Sequence, residues 1–150
     1  MRRAVPIAVM LLVMASGVGG CYLNSPSHVT KRFVKAMSRL DWGRMEELVD
    51  WAGSEKAFGR PLGTERRDLL LKIAERITGF DISYEGEERT RTRFLYLKVS
   101  ETKVSDRTDD RARVTATVSM GAGVENEVEF TTTKVGRTWH VVLTPSLLSS

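Results

Sequence analysis

Residues 111–130 read RARVTATVSMGAGVENEVEF, and their apolar side chains recur at nearly every second position. This alternation predicts two β-strands, and the glycines at 121 and 123 predict a turn between them. The strands should form an antiparallel hairpin with one apolar face and one polar face. Counting back from the turn predicts three polar pairs across the hairpin: Glu125 with Ser119, Glu127 with Thr117, and Glu129 with Thr115.

Other strand-like segments flank this hairpin. They lie at Phe80 to Tyr84, at Phe94 to Val99 and at Trp139 to Leu143. Val99 and Val104 are an odd number of positions apart, so both can face inward only if an extra residue is inserted between them. We therefore expect a β-bulge there and a curved antiparallel sheet of about four to five strands.

The residues before Phe80 have helical periodicity, with apolar positions three or four apart. Ser27, Asp41 and Thr64 are the expected N-caps of three helices, and Gly79 is the expected left-handed residue that ends the third. Residues 53–63 are predicted to be an irregular loop because they combine glycines with a proline. The predicted apolar faces are Val29, Phe33, Ala36, Met37 and Leu40; Trp42, Met45, Leu48 and Val49; and Leu70, Ile73, Ala74 and Ile77.

Helices followed by an antiparallel sheet indicate the α+β class, with the N-terminal helices packed on one face of the sheet. Residues 30–50 and 134–141 resemble the opening helices and the final hairpin of cystatin-like and nuclear transport factor 2-like domains. The resemblance implies a cone that encloses an apolar pocket. Domains of this kind bind small ligands, catalyse isomerase or dehydratase reactions, or act as scaffolds. Many of them occur in bacterial envelope lipoproteins.

The N-terminus has the three regions of a secretory signal: basic Arg2 and Arg3, an apolar run over residues 4–15, and small residues before Cys21. The apolar run is too short for a spanning helix. The sequence Val18-Gly19-Gly20-Cys21 resembles the bacterial lipobox, which implies cleavage after Gly20 and acylation of the Cys21 thiol. The alternative is a plain secretory signal, but Cys21 is the only cysteine and has no disulfide partner within the chain.

These features predict a signal peptide over residues 1–20, a lipidated tether over 21–26, one α+β domain over 27–144 and a C-terminal tail over 145–150. The expected location is the bacterial cell envelope. Tyr22, rather than aspartate, follows the cysteine. In a Gram-negative host this implies sorting to the periplasmic face of the outer membrane.

Charge restricts the possible partners. The formal net charge of +4 falls to +2 when Arg2 and Arg3 leave with the signal, which is too near balance to favour nucleic acid. The first helix carries a possible membrane-facing basic patch, which is alternatively an ordinary solvated face. Its members are Lys31, Arg32, Lys35 and Arg39. Arg89, Arg91 and Arg93 have strand spacing and predict a solvated edge strand.

No catalytic, metal or cofactor motif is recognisable in the sequence. His28 and His140 are expected to lie apart, without a metal between them. Tyr84 and Asn126 are the candidate polar groups of an inner pocket, but core packing of Tyr84 and a hydrogen-bonded amide near an open rim for Asn126 are the favoured explanations. We therefore expect a non-catalytic binding or assembly module, either monomer or homodimer, with an envelope protein as partner. The alternatives are a pocket for a small apolar ligand and an isomerase-like enzyme.

Overall fold

A computed structural model of the chain describes residues 24–149. Helices precede the sheet, as the α+β prediction requires. The helices are α1 Pro26–Ser38, α2 Trp42–Glu47, α3 Trp51–Phe58, α4 Arg66–Thr78, α5 Ile82–Glu85 and α6 Glu87–Arg93. The strands are β1 Lys98–Ser105, β2 Arg111–Gly121, β3 Val124–Val135 and β4 Thr138–Val142. Every helix between residues 24 and 149 is too short or too polar to span a bilayer.

The four strands form one antiparallel sheet in the order β1-β2-β3-β4. The register between β2 and β3 confirms the predicted pairs of Ser119 with Glu125, Thr117 with Glu127, and Thr115 with Glu129. The predicted bulge is also confirmed, because the register of β1 shifts between Val99 and Glu101. The extra residue, Ser100, allows Val99 and Val104 to pair with the inward-facing Val118 and Val114.

Helix α1 crosses the inner face of the sheet and contacts all four strands. Its predicted apolar stripe is buried, and the Phe33 ring meets the Phe130 ring edge-on at a centroid distance of 6.0 Å. The N-cap is Ser25 rather than the predicted Ser27, because the Ser25 hydroxyl accepts the His28 backbone N–H at 3.1 Å. Pro26 suits the first helical position because it has no N–H to satisfy there. The folded part thus begins before the predicted boundary at residue 27.

The prediction of an irregular loop over residues 53–63 is wrong for its first half. Helix α3 occupies Trp51–Phe58, and the Asp50 carboxylate caps it by accepting the Gly53 N–H at 2.9 Å. The helix ends at Gly59, whose φ of 68° is the left-handed conformation that glycine adopts without strain. Asp50 is the capping signal that the sequence interpretation overlooked.

The predicted strand at residues 80–84 is also wrong. These residues enter α5, where the Asp81 carboxylate accepts the Tyr84 N–H at 3.0 Å. Helix α6 follows, so the arginines predicted to line an edge strand are helical, and Arg89 of α6 pairs with Glu85 at the end of α5 at 3.0 Å. Side-chain capping and ion pairs between residues four apart favour helix here more strongly than a short apolar alternation favours a strand. The described sheet consequently has four strands.

The third predicted helix is correct in its buried face and in its end at Gly79, where φ is 69°. Its start differs, because a 3₁₀ turn over Gly63–Glu65 leads into α4 and Thr64 makes no capping hydrogen bond.

At the other end of the chain, the predicted tail is folded where it is described. Pro145–Leu147 form a 3₁₀ turn, and the Leu147 side chain is buried in the core.

The segment from Leu48 to Ser54, here called the edge junction, ties the helices to the last strand. Backbone hydrogen bonds join Asp50 N–H to Val141 C=O at 2.9 Å and Val141 N–H to Leu48 C=O at 2.8 Å. The Asp50 carboxylate also accepts the Thr133 hydroxyl at 2.7 Å. The junction therefore covers the open edge of β4.

We predict that Gly53→Ala destabilises the protein by about 1–3 kcal/mol, the range for forcing atoms into a filled space. A β-carbon at Gly53 would lie 2.5 Å from the Asp50 Oδ2 that caps the helix. Gly43→Ala is the matched control near the start of α2, where the closest atom is 3.9 Å away. The control should be neutral or more stable, by up to about 1 kcal/mol, since alanine favours helices. Urea unfolding of both variants measures the difference, and equal stability would contradict the packing described here.

We also predict that Ser54→Ala lowers the free energy of unfolding by about 1–3 kcal/mol, the cost of an unsatisfied buried group. The Ser54 hydroxyl is fully buried and accepts the Leu143 N–H at 2.9 Å, and alanine would leave that N–H without a partner. Ser38→Ala removes a hydroxyl from the solvent side of α1 and should change stability by less than about 0.5 kcal/mol. A loss of similar size in both variants would show that the Ser54 hydrogen bonds are not the cause.

Candidate binding groove

The interior between the sheet and α1 is filled with hydrocarbon. Phe33, Met37 and Phe130 are fully buried together with the inward residues of β2. The buried polar side chains of the described residues are hydroxyls, and each donates to a backbone carbonyl at 2.7–3.0 Å. They are Thr30, Ser54, Thr90 and Thr132. Between residues 24 and 149, the buried core therefore contains no ionisable side chain.

The two predicted pocket groups do not lie in this interior. Tyr84 is 85% exposed on α5, so its expected inward position is wrong, because the strand that would have turned it inward does not form. Asn126 lies on an exposed part of β3, and its amide donates to the Ile77 carbonyl at 3.1 Å. This hydrogen bond joins the sheet to the end of α4, which is a structural role.

The two histidines, which were expected to lie apart, line the same hollow of about 220 Å³ together with Arg32 and Arg44. The His140 Nδ1 lies 3.0 Å from the Thr138 carbonyl, so this nitrogen carries the hydrogen that it donates. Arg44 is already paired with Glu47 at 2.7 Å. Among residues 24–149 no group of three or more histidine, cysteine or acidic side chains is placed to hold a metal ion.

A second hollow, here called the basic groove, runs between α1 and the start of β1 and has a volume of about 430 Å³. Its floor is apolar and consists of Val34, Phe94, Leu97 and Val99. Its rim carries four exposed cations, Lys31, Lys35, Arg39 and Lys98. Three members of the predicted basic patch therefore share this groove, whereas Arg32 lies in the histidine hollow.

The charge of the rim is not neutralised within the described structure. No acidic side chain lines the basic groove. The ion pairs between described residues involve other cations, namely Arg44, Arg60, Arg89, Arg91 and Arg113. Four like charges around an apolar floor produce a local positive potential that favours an anionic, partly apolar partner.

Leu95 lines the groove and is 74% exposed, and its neighbour in the chain, Tyr96, is 70% exposed. The 3₁₀ turn over Phe94–Tyr96 explains the exposure of these two side chains. In such a turn residues three apart lie on the same side, so Phe94 and Leu97 share one side and Leu95 and Tyr96 lie on others. Phe94 and Leu97 consequently point into the core. Sequence reasoning missed Leu95, Tyr96 and Lys98 because it assigned this segment to a strand, although four consecutive apolar residues cannot all face one side.

The opposite, outer face of the sheet is mixed in charge, since Lys103 and Arg113 share it with the glutamates, but one region of it is acidic. Glu101, Glu125 and Glu127 line a shallow hollow there with Ser100 and Thr117, here called the acidic patch. The confirmed pairing of Glu127 with Thr117 places these carboxylates on the side of the sheet away from α1. The domain therefore has a basic helical face and an acidic region on its outer sheet face.

Comparison with known proteins supports the fold. No protein-family model matches the sequence, and no curated protein matches it. A crystal structure described as a putative NTF2-like transpeptidase from Campylobacter jejuni superposes with a TM-score of 0.53 at 15% sequence identity. The match covers 80% of this chain and 99% of the other. At this identity the likeness concerns the fold alone, and this chain therefore has an NTF2-like fold.

Proposed function

We propose that this protein is a lipid-anchored domain of the bacterial cell envelope that acts as a non-catalytic binding module. The lipobox at residues 18–21 supports the anchor, because it supplies a branched residue, two small residues and the acceptor cysteine in order. Acyl chains stabilise membrane attachment by about 0.8 kcal/mol per buried methylene, so two or three chains hold a protein permanently. In a Gram-negative host we expect the periplasmic face of the outer membrane.

The observation that carries the binding role is the basic groove. It combines an apolar floor with cations that have no partner in the described structure, and such a surface suits an anionic, partly apolar partner. General acid-base catalysis needs an ionisable group with a pKa near the working pH, held within hydrogen-bond reach of the substrate. The charged side chains of the groove are exposed, and the buried core supplies none, which favours binding over chemistry.

The alternative of a small apolar ligand inside the cone has less support. The positions that would line such a pocket are occupied by side chains packed against each other, such as Phe33 on Phe130. An isomerase-like activity would need a base on those same positions. The polar outer face of the sheet is compatible with a monomer and with a homodimer, and an envelope protein is the other class of partner that the groove could accept.

We predict that Cys21→Ala abolishes acylation and releases the protein from membranes, since the thiol is the proposed acceptor. Membrane fractionation and the intact mass of the protein measure this directly. The wild-type mass should correspond to residues 21–150 plus acyl groups. Tyr22→Ala, the matched control next to the cysteine, should remain acylated and membrane-bound. Continued membrane retention of Cys21→Ala at the wild-type level would refute the anchor.

A further inference from the structure

We propose that the basic groove is the face on which the domain docks onto the anionic surface of its own membrane, with Leu95 and Tyr96 inserted among the lipid headgroups. This inference rests on the proposed anchor at Cys21. It adds the orientation of the domain and the chemistry of the partner. It also adds residues outside the predicted basic patch, Leu95, Tyr96 and Lys98.

The start of the fold restricts how far the domain can lie from the anchor. Asn24 is held on the sheet, because its side-chain oxygen accepts the Trp139 N–H at 3.0 Å. Only Tyr22 and Leu23 separate Asn24 from Cys21. An extended chain spans at most about 3.5 Å per residue, so the first residue of the fold lies within roughly 11 Å of the acylated cysteine.

Helix α1 begins at this anchored end and presents one row of cations. It has 13 residues and is therefore about 20 Å long. Lys31, Lys35 and Arg39 are four residues apart, so they lie on successive turns of one exposed face. If the helix lies along the bilayer, all three reach the surface together. Lys98, on the edge strand β1, also lines the groove.

The exposed side chains of the 3₁₀ turn, Leu95 in the groove and Tyr96 next to it in the chain, have the chemistry of an interfacial membrane contact. Leucine supplies an apolar tip, and tyrosine combines an apolar ring with a polar hydroxyl, which suits the headgroup level. Lysine and arginine at such a surface interact with lipid phosphates, and the attraction decays within about a Debye length. Leu95 and Tyr96 are the two most exposed large apolar side chains of the described structure apart from Tyr84.

The acidic patch also favours this direction of docking. The acidic patch lies on the outer face of the sheet, on the opposite side from α1. An anionic bilayer attracts the basic groove and repels the acidic patch, so the two faces favour the same orientation. An acidic protein could neutralise the cations equally well. The short connection between Asn24 and the proposed anchor, however, keeps the groove permanently close to the bilayer.

A single reactive thiol can test the orientation. Cys21 is the only cysteine of the chain, and acylation would block it, so Leu95→Cys would carry the one thiol available to an environment-sensitive fluorophore. The acylated full-length protein is reconstituted in vesicles of phosphatidylcholine, without or with phosphatidylglycerol. We expect a blue shift of the probe emission in the anionic vesicles, reversed by high salt. The same probe at Glu127→Cys, on the acidic patch, should not shift.

Charge-removal variants test the cause of the shift. Lys31→Gln with Lys35→Gln, in the Leu95→Cys background, should lower the ratio of docked to undocked protein by roughly 25-fold, about fivefold per charge. Lys56→Gln with Lys72→Gln removes the same charge from exposed positions outside the groove and should leave the shift unchanged. Equal losses in the two double variants would show a general charge effect and overturn the groove assignment.

The remaining outcomes separate this inference from the anchor on which it rests. If the wild-type protein from membranes reacts with the thiol probe, Cys21 is not acylated and the anchor itself is refuted, together with this inference. If Cys21 is blocked but the probe at residue 95 does not shift in anionic vesicles, the anchor stands and the docking face is refuted. A shift that needs an added acidic protein and not the anionic lipid would assign the groove to a protein partner.

Discussion

The packing of α1 across the inner face of the sheet is the contact on which the rest of the structure depends. Phe33 meets Phe130 at its centre, and the same helix contacts all four strands. An antiparallel sheet with one apolar face must bury that face, and burial contributes about 25 cal/mol per Å² of apolar surface. Turning one stripe of α1 inward also forces its opposite face outward. The cations of the basic groove are exposed for this reason.

The edge junction is the second constraint, and it is made of polar groups. Asp50 caps α3 and binds Thr133, while its backbone pairs with Val141. Ser54 then satisfies a buried backbone N–H near the end of the sheet. One short segment therefore fixes the position of the helices and protects the last strand edge. The basic groove lies on the other side of the domain, where α1 meets β1.

Sequence reasoning predicted the parts of this fold in which a strong local pattern agrees with the tertiary environment. The register of β2 with β3 and the bulge at Ser100 followed from alternation and from counting. It was wrong at residues 53–58 and 80–93, where side-chain capping by Asp50 and Asp81 competes with a weak apolar pattern. The patch on α1 was predictable from helical spacing alone. The side of the groove formed by residues 94–99 was not predictable in this way, because those residues are distant from α1 in the sequence.

The sequence by itself determined the α+β class, the alternating hairpin and the charged outer face of α1, because each depends on residues close together in the chain. It also contains the proposed signal and acylation site at residues 1–21, which lie outside the described residues. Only the tertiary structure decided that Leu95 and Lys98 lie beside Lys31, Lys35 and Arg39 and that Tyr96 is exposed on the same turn as Leu95. The physical reason is that the 3₁₀ turn after α6 is held in place by core contacts of Phe94 and Leu97, and local spacing does not encode those contacts.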